Sequence, residues 1–211
     1  MKAFKTKREE FWAGKFGDNY IKRNYNARIT AGNISMFSKI LDNARGINTA
    51  IEFGSNIGLN LIAIKTLLPN IEVSAIEINK KAVDILKKIL GVKIYHKSIL
   101  EFKPDYKRDF VLIKGVLIHI NPDMLSVAYH ALYKTSKKYI LIAEYYNPTP
   151  ISIDYHGHKD KLFKRDFAGE MLDKFKDLRL VNYGFTYHRD NHYDFGDINW
   201  FLLEKNKITK E

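Results

Sequence analysis

Four short stretches of the chain carry side chains that could do chemistry if a fold gathered them. The first is Glu52-Phe-Gly54-Ser55-Asn56-Ile-Gly58, where glycines at a turn allow the backbone to approach a ligand closely. The second is Ser74-Ala-Ile-Glu77-Ile78-Asn, which sets a carboxylate 25 residues (77 − 52) after Glu52, spaced to accept both hydroxyls of a ribose. The third is Lys97-Ser98-Ile99-Leu100. The fourth, Lys114-Gly115-Val116-Leu-Ile-His119-Ile-Asn-Pro, contains an imidazole, the usual base for removing a hydroxyl proton near neutral pH. There is no cysteine, which excludes disulfides, thiolate zinc sites and cysteine-nucleophile mechanisms.

These stretches can meet only if each follows a strand. Hydrophobic patterning predicts strands at Asn48–Phe53, Glu72–Ile78, Val92–His96, Asp109–Lys114 and Lys138–Glu144. Helices are predicted at Gly58–Leu68, stopped by Pro69, at Lys80–Leu90, ended by Gly91, and over about 122–135. A further helical pattern covers 28–45. Strands alternating with helices imply parallel βαβ units with helices on both faces. After residue 150 a polar, aromatic loop is expected to lead into a helix near 164–175. Strands at about 178–187 and 197–204, split by the polar turn His188–Gly196, then suggest an antiparallel hairpin at the sheet edge. The expectation is one domain with a seven-stranded, mostly parallel sheet. Residues 1–45 would be an N-terminal helical lid segment and 46–211 a Rossmann-like core.

In that layout the four stretches share one crevice at the carboxyl ends of the strands. A dinucleotide turn needs G-x-G-x-x-G to seat a pyrophosphate. Here the run is G-x-x-x-G, with asparagine at 56 and leucine at 59, so the usual phosphate cradle is missing. The turn instead resembles the acidic-x-Gly-x-Gly-x-Gly motif of class I methyltransferases, with Asn56 in place of the middle glycine. Over most of its length the chain resembles the pseudaminic acid biosynthesis-associated methylases, a clade within the class I S-adenosylmethionine-dependent methyltransferases. The carrying segments are Phe11-Trp12 through Arg23-Asn24, the Glu52–Gly58 turn, Gly115 through Asp123, Glu144-Tyr145-Tyr146-Asn147-Pro-Thr-Pro, Gly157 through Glu170, Tyr183 through Asp190 and Asn199 through Glu204.

The resemblance implies a Rossmann-like class I methyltransferase fold, S-adenosyl-L-methionine as cofactor and S-adenosyl-L-homocysteine as product. Glu52, Gly54, Ser55, Asn56 and Gly58 would form the cofactor turn, and Glu77 with Ile78 would hold the ribose. Ser98, where an aspartate is common, and Ile99 would meet the adenine, while Lys114, Gly115 and Val116 would pass beneath the methionine part. In the aromatic N-terminal segment, Tyr20 or Arg23 could meet the methionine carboxylate, and the alternative is a surface helix packing on the sheet. The clade also implies O-methylation of a nonulosonic sugar in surface glycan biosynthesis.

Methyl transfer is an in-line attack on an activated sulfonium, so positioning dominates, and a hydroxyl acceptor also needs a base. His119 is the candidate, with a structural histidine as the alternative. Tyr145, Tyr146, Asn147, His156 and His158 are expected to line the acceptor pocket, and Lys161 and Arg165 to hold a carboxylate or phosphate. His156-x-His158, with His188 or His192, lacks a matching carboxylate spacing, so no metal is expected. Asn147-Pro-Thr-Pro150 follows the fifth strand rather than the fourth, unlike the base-flipping motif of DNA adenine methylases.

A net charge of +11, with eight basic and three acidic residues in positions 1–30, could favour an anionic partner. The basic residues are spread along the chain, so nucleic acid is not the expected partner. A methyltransferase acting on protein or RNA amines and a non-catalytic cofactor-binding module stay open as alternatives. Neither a membrane span nor a secretory signal is read, which points to the cytoplasm. The methylated atom and the oligomeric state are not legible.

Overall fold

The structure is a computed structural model and describes residues 4–24, 27–155, 158–193 and 196–206; side chains at 24, 155 and 158–161 lie outside the description. Its centre is β1 (Thr49–Phe53), buried from its second residue onward. Such a continuous apolar run suits a parallel strand covered on both faces. β1 pairs in parallel with β2 (Glu72–Glu77) on one side and β4 (Arg108–Lys114) on the other. β3 (Val92–His96) and β5 (Ser136–Glu144) extend the sheet outward in parallel. The late strands β8 (Leu178–Thr186) and β9 (Ile198–Lys205) join antiparallel, giving the order β3-β2-β1-β4-β5-β9-β8. Asp109 fixes the base of this arrangement: its carboxylate accepts the amides of Asn48 and Thr49 at 3.0 and 3.2 Å, so β1 and β4 run in step to their upper ends.

Alternation along the strands divides the core into two layers. Phe110 and Leu112 face one side, packing with Phe37, Ile40 and Ile64, which come from α3 (Ala27–Leu41) and α4 (Leu59–Leu67). Val111 and Ile113 face the other, against Leu125, Leu132 and Met171 of α6 (Pro122–Thr135) and α7 (Phe167–Lys174). Each such side chain contributes about 1.5–3 kcal/mol by leaving water. Between β2 and β3 lies α5 (Lys80–Leu86), capped by Asn79, whose side chain accepts the Ala82 amide at 3.0 Å.

One expectation needs correction. The region expected as a polar loop forms a two-stranded hairpin, β6 (Ile151–Tyr155) and β7 (His158–Lys164). Ile151-Ser-Ile-Asp-Tyr alternates with period two, a strand signal that the polar residues obscured, and Leu162 of β7 is buried in the core. Within the segment 1–45, α3 buries Met36, Phe37 and Ile40 in the core, and α1 (Lys7–Ala13) and α2 (Lys15–Asn24) precede it.

Candidate functional site

A cavity with about 1230 Å³ of empty volume, open mouth included, lies over the upper ends of β1, β2, β3 and β4. Its wall brings together Gly54, Ser55 and Asn56 after β1, Glu77 and Ile78 at β2, Ser98 and Ile99 after β3, and Lys114, Gly115, Val116 and His119 after β4. Tyr20 reaches it from α2.

The β1 turn is built for close approach. Gly54 has φ +78, and a Cβ there would stand 2.6 Å from Val116 Cγ2. Asn56 also takes a positive φ of 47, a conformation asparagine tolerates better than most residues. Beneath this turn Glu77 receives three amides: Asn56 N at 2.6 Å on Oε2, Ile78 N at 2.8 Å and Asn79 N at 2.7 Å on Oε1. A carboxylate offers about four acceptor sites. Among the described residues one site on Oε2 is left, on a residue that lines the cavity. Burial raises the Glu77 carboxyl above its ordinary pKa, and the three amides oppose that rise.

The cover over the cavity follows from local sequence. Thr6 and Glu9 form a capping box: Thr6 Oγ1 accepts the Glu9 amide at 3.2 Å, and Glu9 Oε2 accepts the Thr6 amide at 2.7 Å. Asn79 then fastens the cover to the β2 end. Its Nδ2 donates to the Trp12 carbonyl at 3.2 Å and to Asp18 at 2.9 Å. Gly17 permits this contact, since a Cβ there would lie 1.9 Å from the Trp12 carbonyl oxygen. Trp12 reaches across the cavity and lies on His119, and Arg8 stacks over Phe163 of the β6–β7 hairpin, 4.4 Å from the ring centre. Thr6, Glu9, Asn60 and Asn79 were not singled out from sequence, although the Thr6-x-x-Glu9 box and the Asn79 cap were readable there.

Two buried carboxyls, Glu52 on β1 and Glu144 on β5, lie near the partly buried Lys114 at the end of β4. Glu52 is fully buried, and burial pushes its carboxyl up to about 8, against the Asn60 amide that donates to it at 2.6 Å and the nearby Lys114 ammonium. Glu144, on β5, is pushed to about 7 by burial, against amides of the turn after β4. Burial lowers the Lys114 ammonium, and both carboxylates act against that.

Several expected site residues stand elsewhere. Glu52 supports the turn from below rather than lining the cavity. Gly58 starts α4 at φ +84, and its missing Cβ makes room for Leu86 and Ile89, so its demand is packing. Arg23 is exposed, over the rings of Phe16 and Tyr20 at 5.4 and 5.3 Å, and is not on the wall. The expected acceptor residues lie off the wall as well. Tyr145 is partly buried beneath Lys164, Tyr146 is exposed near Phe201, and Asn147 donates to the Thr149 carbonyl. Arg165 pairs with Glu170 at 2.7 Å. Those four follow the fifth strand or the hairpin, whereas the wall draws on the first four strand ends and the N-terminal helices. His156 and the side chains of His158 and Lys161 lie outside the described residues. No metal-binding group of histidine, aspartate or glutamate occurs among the described residues, and no described helix is long and apolar enough to cross a membrane.

No family model and no curated protein matches the chain by sequence. Solved structures do match its shape. The 1,6-didemethyltoxoflavin-N1-methyltransferase of Burkholderia thailandensis, solved with bound 1,6-didemethyltoxoflavin and S-adenosylhomocysteine, is similar at 12% identity and TM-score 0.68 over 95% of this chain and 87% of that one. The magnesium protoporphyrin IX methyltransferase of Synechocystis PCC 6803, with bound S-adenosylmethionine, gives 12% identity and TM-score 0.68 over 98% and 100%. The plantazolicin methyltransferase BpumL, in complex with a pentazolic desmethylPZN analogue and S-adenosylhomocysteine, gives 13% identity and TM-score 0.63 over 90% of each. The chain therefore has the Rossmann-like class I methyltransferase fold.

Proposed function

We infer that the protein is an S-adenosylmethionine-dependent methyltransferase acting on a small-molecule acceptor. The observation that carries this reading is Glu77, a buried carboxylate with an acceptor site left over, at the β2 end beside the left-handed turn of Gly54 and Asn56. A ribose diol needs such an acceptor, and the turn carries no phosphate-seating glycine pattern, which suits a nucleoside without phosphates.

In this reading Glu77 and Ile78 hold the ribose, and Ser98 and Ile99 bound the adenine. Gly54, Ser55, Lys114, Gly115 and Val116 surround the methionine part, and Tyr20 and Trp12 cover it. The cofactor supplies an activated methyl group on a sulfonium. The chain's task is to exclude water and hold the acceptor atom in line. His119, buried at the cavity edge, takes the proton from an acceptor hydroxyl. The resemblance of the sequence supplies the finer reading, a hydroxyl of a nonulosonic sugar of the pseudaminic acid type.

Calorimetry with S-adenosylhomocysteine tests the cofactor and should give micromolar-range binding, while absence of binding removes the proposal. Mass spectrometry of a cell extract incubated with labelled S-adenosylmethionine then identifies the acceptor, and a labelled product lacking a sugar would overturn the finer reading.

A further inference from the structure

We propose that Glu144 is the positioning residue for His119, acting through the backbone of the turn that carries the imidazole. This rests on the reading of His119 as the base. The chain leaves β4 at Gly115, whose φ of +65 swings it sideways while its amide still bonds the Ala143 carbonyl at 2.9 Å. It then makes one turn of 3-10 helix, Leu117–His119. Val116 caps that turn without a side-chain hydrogen bond. Orphan amides at the start of a helical turn need an acceptor, and Glu144 supplies it from the neighbouring strand. Its Oε1 accepts Val116 N at 2.9 Å and Leu117 N at 2.8 Å, and the Ile118 amide adds to them.

The rest of the turn transmits this anchor. The His119 amide donates to the Val116 carbonyl at 2.9 Å, so the imidazole is one hydrogen-bonded turn from the amides that Glu144 holds. Leu117 and Ile118 are buried in the core, leaving the turn little room to rotate. Trp12 meets the imidazole from the cavity side. Trp12 thus contacts the imidazole itself, while Glu144 holds the backbone turn that carries it.

The choice of an acid at position 144 requires explanation. An uncharged Asn or Ser can cap a turn without the cost of burying an ionisable group. Glu144 is 2% exposed, and its Oε2 is buried with no hydrogen-bond partner among the described residues. A buried group that reaches from β5 to hold the amides of the turn carrying the candidate base points to that turn as what it serves.

The experiment uses the full chain and the variants Glu144→Ala, Glu144→Asp and Glu144→Gln. The imidazole nitrogen signals of His119 are followed by NMR and assigned by their loss in His119→Gln. The Gln variant keeps an oxygen for the amides and should keep the His119 signal in place. The Asp variant keeps the charge but draws the oxygens back by one methylene, so it should shift or broaden that signal; it serves if the Ala variant does not fold. Loss of the anchor in Glu144→Ala should lower kcat for transfer roughly 10²-fold, the scale of a general base. An unshifted His119 signal in the Asp variant, or in a folded Ala variant with only a lower melting temperature, overturns the proposal. If the wild-type chain fails to bind S-adenosylhomocysteine, the methyltransferase reading falls, while the NMR comparison still decides whether Glu144 positions His119.

Discussion

The indole of Trp12 rests on the imidazole of His119, with ring centroids 4.6 Å apart and planes inclined by 51°. One residue belongs to the N-terminal helix and the other to the turn after the fourth strand, so this contact ties two parts of the cavity wall together. Trp12 and Trp200 are the two tryptophans of the chain, and Trp200 is buried on β9 away from the cavity. Binding of S-adenosylhomocysteine should therefore change the fluorescence of Trp12 alone. The change should vanish in Trp12→Phe and persist in Trp200→Phe. A ligand-dependent signal surviving in Trp12→Phe would show that the cover does not touch the ligand.

Gly54 and Gly46 give a matched test of the turn. Both have positive φ, +78 and +70, but a Cβ at Gly54 would meet Val116 whereas a Cβ at Gly46 would meet nothing within 4 Å. Gly46→Ala should cost about 1 kcal/mol of stability, from backbone strain only, and leave cofactor affinity unchanged. Gly54→Ala should cost more, about 2–3 kcal/mol, and abolish detectable binding, because the displaced Val116 lines the cavity. Thermal melting and calorimetry on the two variants check this, and equal behaviour would sink the argument from close approach.

Glu77 is sensitive to an isosteric change. One of its oxygens takes the Asn56 amide and the other takes Ile78 and Asn79. However the side-chain amide of Glu77→Gln is turned, its NH2 group faces a backbone N–H. The variant should lose roughly 2–3 kcal/mol of cofactor affinity, about 10²-fold, as expected for a broken charge-assisted hydrogen bond. Glu77→Ala should be no better, since it also frees the turn. Wild-type affinity in Glu77→Gln, measured by calorimetry, would remove the carboxylate from the ribose site.

How far the site could be read in advance depended on how local its signals were. β3 and α6 fall on their predicted spans, since Gly91 and Pro122 mark their limits within the sequence itself. The placing of Gly54, Glu77, Ser98 and His119 on one cavity wall was legible because a parallel sheet brings successive strand ends to one edge. Glu52 differs: an acid in a turn motif reads as a ligand contact, and only the packed fold shows it buried under the turn, held by Asn60 from the next helix. The expected acceptor residues lie off the cavity wall for a related reason. Tyr145, Tyr146 and Asn147 follow a strand end as the motif residues do, but β5 stands next to the antiparallel β9 and beyond the first four strand ends. The contact of Trp12 with His119 joins residues far apart in sequence, and no periodicity encodes it.

Glu52 also makes stability depend on pH in a direction opposite to most carboxylates. Its pKa rises from 4.5 to about 8 on folding, through burial, so between those values the folded chain holds a proton that the unfolded chain has released. Linkage then makes stability fall as pH rises through that window, with the contribution complete below pH 4.5 and gone above about 8. Glu144 adds the same trend up to about 7. Glu52→Gln keeps an oxygen for the Asn60 amide and has no proton to lose. Its melting temperature, relative to wild type, should rise steadily from pH 5 to pH 8 and then level off. At about 1.4 kcal/mol per pKa unit, the gap reaches several kcal/mol. A difference that stays flat over this range would mean that Glu52 is already ionised in the folded chain, paired with Lys114 across the cavity floor.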